Sequence, residues 1–231
     1  MEKELLPILD KIMGTIFGFK NPYTIEQFIQ KFAFDVRLPK QTNDSITGEV
    51  TWAQSLAPQK FITMKNAFAE DAKSEWLIPK RPLANMEDIL AAWQQTNLMA
   101  TERQIEAINA VESDMVYNSE NVYRSQDIHF SKNVAFCDGV KKCEFVAAGQ
   151  RSHSNTYSLR IEDSQECSNS FNVIWSGKIS NSFFIQDCYD MFECMFCSHM
   201  RSKRFCIANM QFEEEEYKKI KAMVIQWILT A

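Results

Sequence analysis

From Val116 to Gln211 the chain divides into sixteen consecutive six-residue units with no insertion, and that unbroken period constrains the fold more than any other feature. The first positions run Val116, Val122, Ile128, Val134, Val140, Val146, then Ser from Ser152 to Ser182, then Cys188, Cys194, Met200 and Cys206. The fourth positions run Ser119, Ser125, Ser131, Cys137, Cys143, Gly149, Asn155, Ile161, Cys167, Val173, Ile179, Ile185, Met191 and Cys197, and degrade at Lys203 and Asn209. Both series are small or apolar, so each unit has two inward side chains. Units this short bury them only by stacking on their neighbours, as in a coiled repeat architecture.

The sixth positions include Asn121, Asp127, Asn133, Gly139, Asp163, Asn169, Asn181 and Asp187, residue types that bond their own backbone and tolerate left-handed conformations, as corners require. A turn every six residues is too frequent for ordinary strands and too polar for helices. The spacing therefore predicts a β-solenoid, a parallel β-helix of short strands and corners stacked about 4.8 Å apart. With three units to a coil, it would have about five coils and a length of roughly 25 Å. The restricted positions are three apart and glycine is scarce, unlike an ordinary left-handed hexapeptide helix, so handedness stays open.

The flanks have a different character, and the fold class expected is α+β: a mostly helical region over 1–115, the solenoid over 116–211 and a capping helix over 212–231. Leu5, Leu6, Ile8, Leu9, Ile12, Met13, Ile16 and Phe17 form one helical face, with Pro7 tolerable near its first turn. Thr24 and Gln27 resemble a capping box ahead of Ile25, Phe28, Ile29, Phe32 and Ala33. Between Leu38 and Pro82 prolines interrupt any pattern, and Gly48 to Trp52 could be a short strand. A further helical block is expected from Met86 to Ala110, on Ile89, Leu90, Trp93, Leu98, Ile105 and Ile108. Four acids, Glu213 to Glu216, suit the positive end of a helix dipole. The stripe Tyr217, Ile220, Met223, Val224, Trp227 and Ile228 then predicts an amphipathic helix closing the open end of the solenoid.

A net charge of -5 argues against a nucleic-acid binder, which needs a clustered basic face; Arg201, Lys203 and Arg204 are the nearest candidate. No stretch is apolar enough to span a bilayer. The first nineteen residues carry Glu2, Glu4 and Asp10 and no small-residue cleavage site, so they read as a helix rather than a signal peptide, and a cytoplasmic protein is expected. All seven cysteines fall on first or fourth positions, where free thiols act as small apolar filler. The competing reading is zinc held by Cys188, Cys194, Cys197, His199 and Cys206, on the Cys194-Met195-Phe196-Cys197 pair. The repeat already accounts for these thiols, so no metal, cofactor or catalytic residue is assigned.

Asp127 to Asp138, the segment Cys194 to His199, and the ending Phe205-Cys-Ile-Ala-Asn-Met-Gln-Phe-Glu-Glu-Glu-Glu-Tyr resemble a family of uncharacterised bacterial and bacteriophage proteins. Its members carry Cys/Ser/Asn ladders and close on Lys-x-Tyr-Cys-Ile-x-Asn-x-Gln-x. The resemblance covers about the C-terminal half and implies a solenoid, no activity and no catalytic residues. Its phage association points to a virion component.

Two functions follow. One is a non-enzymatic structural or assembly protein, homo-oligomeric or part of a larger particle, binding proteins rather than nucleic acid or membrane. The other is an enzyme resembling the hexapeptide-repeat acyltransferases, with Asp127 orienting His129 as base; His129 and His153 hold second positions and His199 a sixth. No phosphate loop, paired-His metal motif or Gly-x-Ser-x-Gly elbow is present. The outward aromatics Tyr117, Tyr123, Phe171, Phe183, Phe184 and Tyr189 either line a carbohydrate- or partner-binding face or pack against the helices, the expectation being the helices.

Overall fold

A computed structural model describes residues 2–57, 60–74 and 76–230. It consists of an N-terminal region with helices, a parallel β-solenoid of about nine turns, and a C-terminal helix. Helix α1 (Glu2–Phe17) holds Pro7 in its second turn and buries Leu5, Ile8, Leu9, Ile12, Met13, Ile16 and Phe17 on one face. Helix α2 (Ile25–Phe32) starts in the expected capping box, Thr24 accepting from the Gln27 N–H while Gln27 accepts from the Thr24 N–H. Val50–Ala53 is a strand, paired antiparallel with Lys40–Asn43. Helices α3 (Met64–Ser74) and α4 (Met86–Thr96) follow.

The coil contains two six-residue units, not three. Parallel strands pair residues twelve apart, Val116 with Ile128, Val134 with Val146 and Ile179 with Met191. Nine such coils at about 4.8 Å make a rod of about 40 Å, longer and thinner than a three-unit coil gives. The reason lies in the corners. Every third residue from Glu106 to Ala208 has positive φ, near +50°, except Gly139 at +73°. The backbone therefore turns at the third position as well as the sixth, and four three-residue sides close the circuit in twelve residues. Sixth-position Asn and Asp suit this geometry, but Phe130, Phe136 and Trp175 adopt it too, at a cost of roughly 1–2 kcal/mol each.

The helical block ends at Thr96, not Ala110: the Asn97 N–H bonds the Trp93 carbonyl, and the chain then enters strands Met99–Thr101, Gln104–Ile105 and Ile108–Val111. Gln104, Ala107, Ala110 and Ser113 stand twelve residues before Val116, Ser119, Val122 and Ser125, extending the inward columns backwards. Ile105 and Ile108 are exposed on the outside. Their spacing of three is the coil's own period, which a short window does not separate from the 3.6 of a helix.

First and fourth positions point inward as expected; Val134, Ser164 and Cys194 are all buried. The two classes of inward residue do different work. Apolar residues sit within strands, whereas most of the Ser, Cys and Asn sit at the bends, where they satisfy the backbone. Ser131 Oγ donates to the His129 carbonyl (2.8 Å) and accepts the Cys143 N–H (3.0 Å); Asn155 Oδ1 accepts the Cys167 N–H (2.8 Å). A thiol does the same, Cys137 Sγ accepting the Gly149 N–H (3.1 Å). Buried N–H groups need such partners.

At the fourth full coil the columns exchange roles. Up to Val146 the apolar residues hold first positions, and from Ile161 onward they hold fourth positions. The strands move with them. Glu120–Tyr123 surrounds Val122, whereas Phe171–Ile174 surrounds Val173, a displacement of three residues along the unit. The seven-residue strand Thr156–Glu162 spans the exchange. A three-residue shift is one side of the coil, so the exchange carries the strand pair a quarter-turn around the axis.

One outer column is apolar along the whole rod: Tyr123, Ala135, Ala147, Leu159, Phe171, Phe183, Met195 and Ile207, each twelve residues from the last, all buried. Helix α1 lies along it, with Phe17 against Phe171 and Phe183 (5.4 and 5.5 Å between ring centroids), and α2 places Phe28 against Phe136. Helix α5 (Glu214–Thr230) covers the last coil with Tyr217 against Phe205, then runs back until Trp227 meets Phe184 and Phe196. Of the outward aromatics, Tyr123, Phe171, Phe183 and Phe184 are thus packed with helices, and Tyr117 and Tyr189 stay on the open side.

The N-terminal end of the rod is closed by the small strands. Phe61–Thr63 pairs with Met99–Thr101. The wholly buried Asp114 carboxylate accepts from Arg103 Nη2 (2.6 Å), Nε (3.0 Å) and N–H (2.9 Å), and from the Gln54 N–H (3.3 Å). At the other end, Arg201–Arg204 is exposed throughout and its charges discourage edge pairing.

Candidate ligand groove

Second positions of successive units lie on opposite sides of the coil, so the side away from the helices carries Tyr117, His129, Lys141, His153, Gln165, Gly177, Tyr189 and Arg201 in one column. Next to it, across the inward column, runs a corner column of Asp127, Gly139, Arg151, Asp163, Trp175, Asp187 and His199. Between these two rows lies an open groove of about 740 Å³ floored by Ser164, Ser176 and Cys188. It continues toward the N-terminal end as a second depression of about 620 Å³ with Lys141, Lys142 and Asp127 on its walls; Arg151 and His153 line both.

The groove's walls are held by a chain of bonds. Arg151 donates to Asp163 from Nε (3.0 Å) and Nη2 (2.8 Å) and also reaches Glu162. Asp163 Oδ2 then accepts the Trp175 indole N–H (3.2 Å). The Arg151 bonds hold the Asp163 carboxyl below the usual carboxylate range, and the same contacts hold the Arg151 guanidinium charged. Trp175, 58% exposed, is thus fixed at its edge with its ring open to solvent. Opposite it Gly177 has no side chain, and a Cβ there would stand 3.2 Å from Tyr189 Cδ2. The missing side chain lets the Tyr189 ring lie close over the backbone and widens the groove beside Trp175.

The structure brings Asp127 and His129 together, Oδ1 to Nε2 at 3.1 Å, with the imidazole stacked on Tyr117 (5.0 Å, 21°). Among the described residues Asp127 is the one side-chain hydrogen-bond partner recorded for His129, and no hydroxyl or thiol nucleophile joins the pair. His153 and His199 line the groove, the latter 3.8 Å from Asp187.

The zinc set does not assemble. Cys188, Cys194, Cys197 and Cys206 are buried inside the coil, whereas His199 projects outward with 76% of its side chain exposed. The backbone wall separates imidazole from thiols, and no three His, Cys, Asp or Glu side chains among the described residues are placed to share a metal. Cys188 occupies a bend as the serines do, its Sγ donating to the Gln186 carbonyl (3.2 Å) and accepting the Met200 N–H (3.4 Å). Burial pushes the Cys167 thiol up to about 12 and raises Cys137 and Cys143 as well. Lys203 and Arg204 lie on the exposed strand Arg201–Arg204, Arg204 with its guanidinium 4.8 Å from the Phe192 ring centroid.

Arg151, Trp175 and Gly177 were not singled out by the sequence. The signal that finds them is the alternation of second positions, polar at 129, 141, 153 and 165 but apolar at 135, 147, 159 and 171, which marks two units per coil and brings residues 163, 175 and 187 into one row. No protein-family model matches this chain, and a search of curated proteins finds no match. No helix among the described residues is long and apolar enough to cross a membrane.

Proposed function

We propose that this protein is a non-enzymatic structural component of a larger assembly, built from copies of itself, and that a bacteriophage particle is that assembly. The observation that carries the reading is α4. Its apolar residues Met86, Ile89, Leu90 and Trp93 recur at helical spacing, yet all four are exposed and the helix buries none of its residues. An amphipathic stripe of this kind is stable in water only when something covers it. A second copy of the same helix offers the same stripe, so two copies can cover each other's apolar residues in a self-complementary contact. The solenoid supplies stiffness and the helical end the attachment.

Native mass spectrometry and light scattering at tens of micromolar test this. The reading expects a discrete oligomer that dissociates in Ile89→Glu/Trp93→Glu, with the circular dichroism unchanged. A wild-type protein that is strictly monomeric, or an oligomer indifferent to that double substitution, would sink it. The acyltransferase reading rests on the Asp127–His129 contact; acyl-coenzyme A turnover lost in His129→Ala would favour it instead.

A further inference from the structure

The geometry points to the open groove as a binding site for an uncharged oligosaccharide, gripped between the ring faces of Trp175 and Tyr189. This site lies on the side of the rod away from the helices and is independent of how the chain assembles.

Three features select this ligand. First, the aromatic surfaces are presented rather than buried. Trp175 is 58% and Tyr189 40% exposed, and both line the same cavity on opposite walls; Lys178 Nζ sits 5.3 Å from the Tyr189 ring centroid, which leaves Trp175 the more open of the two platforms. Trp175 stands at a corner of the coil, with a positive φ (+48°) like every third residue along it. Its indole N–H is tied to Asp163, so the ring offers a face at low entropic cost, as aromatic anchors do. Sugar rings present C–H faces that stack on such platforms.

Second, the charges cancel. The main cavity carries two cations, Arg151 and Arg201, and two carboxylates, Asp163 and Asp187. Arg151 is already engaged by Asp163 and Glu162. A polyanion would meet carboxylates at two levels, and a polycation would meet guanidinium groups. Paired Arg and Asp groups with the Gln165 amide instead provide donors and acceptors side by side, the pattern that adjacent hydroxyls need.

Third, the backbone is unavailable. The N–H groups of Gln165, Gly177 and Tyr189 bond to the carbonyls of Ser176, Cys188 and Met200 in the next coil. A peptide could not add as a strand here, and the groove lacks the deep apolar pockets that peptide side chains fill. The cavity runs from Arg151 to His199 over four coil steps, about 19 Å at the usual strand spacing, which suits several linked sugars rather than one.

The test is a glycan array spanning bacterial, plant and animal sugars, probed with the full-length protein, followed by calorimetry on the retained glycans. A neutral oligosaccharide should bind, with affinity unchanged between 0.05 and roughly 0.5 M salt, since no ion pairing drives it. Trp175→Ala and Tyr189→Ala should each weaken it about tenfold or more, while Trp227→Ala, an exposed tryptophan on the helical side, should leave it unchanged. Both groove residues are exposed, so the variants keep the fold, and matching urea midpoints verify that. An array with no retained glycan would overturn the inference. So would retention only of sulfated or phosphorylated glycans that elute with salt, or binding indifferent to both groove substitutions. Because Ile89→Glu/Trp93→Glu leaves this face untouched, loss of assembly and loss of glycan binding are separately readable.

Discussion

Ser164→Ala tests whether the inward polar columns hold the coil together through their side-chain bonds to the backbone. Ser164 Oγ accepts the Ser176 N–H (3.0 Å) and donates to the Glu162 carbonyl (2.7 Å), in an interior where Ser164 is 3% exposed. Alanine removes both bonds. The Glu162 carbonyl keeps a partner in the Trp175 N–H (3.0 Å), so its loss is about one net hydrogen bond, near 1 kcal/mol. The Ser176 N–H is left without an acceptor in a dry interior, which costs about 1–3 kcal/mol. The expected destabilisation is therefore about 2–4 kcal/mol, large for the removal of one oxygen. Ser164→Cys should cost about 1 kcal/mol or less, because Cys137 shows a thiol in the same pair of roles, accepting the Gly149 N–H (3.1 Å) and donating to the Ala135 carbonyl (3.3 Å). Urea unfolding followed by far-UV circular dichroism gives the two values side by side. Hydrogen exchange localises the effect, with protection of the Ser176 amide falling by roughly tenfold or more in the alanine variant. Alanine and cysteine variants of equal stability, with Ser176 still protected, would refute the reasoning.

Ile179→Asp places a charge with no partner inside the coil and should destabilise by more than about 4 kcal/mol or prevent folding, whereas Gln186→Asp on the outer surface should stay within about 0.5 kcal/mol; comparable urea midpoints for the two would contradict the inward register. All seven thiols are buried and free, so native protein at pH 8 should react with Ellman's reagent over hours and unfolded protein within minutes; a fast-reacting thiol in the native state would contradict it. Burial by itself would raise the Asp44 carboxyl, but N–H groups of Thr63, Ile46 and Thr47 and the Asn66 amide outweigh it and lower the carboxyl from 3.8 to about 2. A depressed folded-state value stabilises fully above the unfolded value and is lost as pH falls through the folded one, so about 2 kcal/mol should disappear between pH 4 and 2. Asp44→Asn should flatten that part of the stability profile, and an unchanged acid limb would show that Asp44 does not anchor the N-terminal closure.

The inward columns were readable because their chemistry repeats along the chain. Val116 to Cys206 announces six-residue units whatever the coil size, and Thr24 with Gln27, or the stripe of α1, announces local helices in the same way. The number of units per coil was hidden by that regularity, since both units of a coil place the same class of side chain inward. Its trace lay in the outer second positions, where Ala135, Ala147 and Leu159 alternate with Lys141 and His153. The start of the solenoid was hidden for a related reason: Ile105 and Ile108 carry a three-residue spacing that suits a helix and a three-residue side of the coil alike. The left-handed corners at third positions had little signal, because Arg124, Phe130 and Phe136 occupy them as well as Asn118.

By itself the sequence determined which side chains go inward, that the first two segments and the last are helical, and that the second half stacks as a solenoid, because burial and hydrogen bonding within one unit depend on residues a few positions apart. Tertiary structure alone decided the twelve-residue coil, the side of the rod that the helices cover, and the groove in which Arg151, Asp163 and Trp175 meet. Those contacts join residues twelve or twenty-four apart, and such neighbours exist only once the closing angle of four left-handed corners has set how far along the chain each coil comes back upon itself.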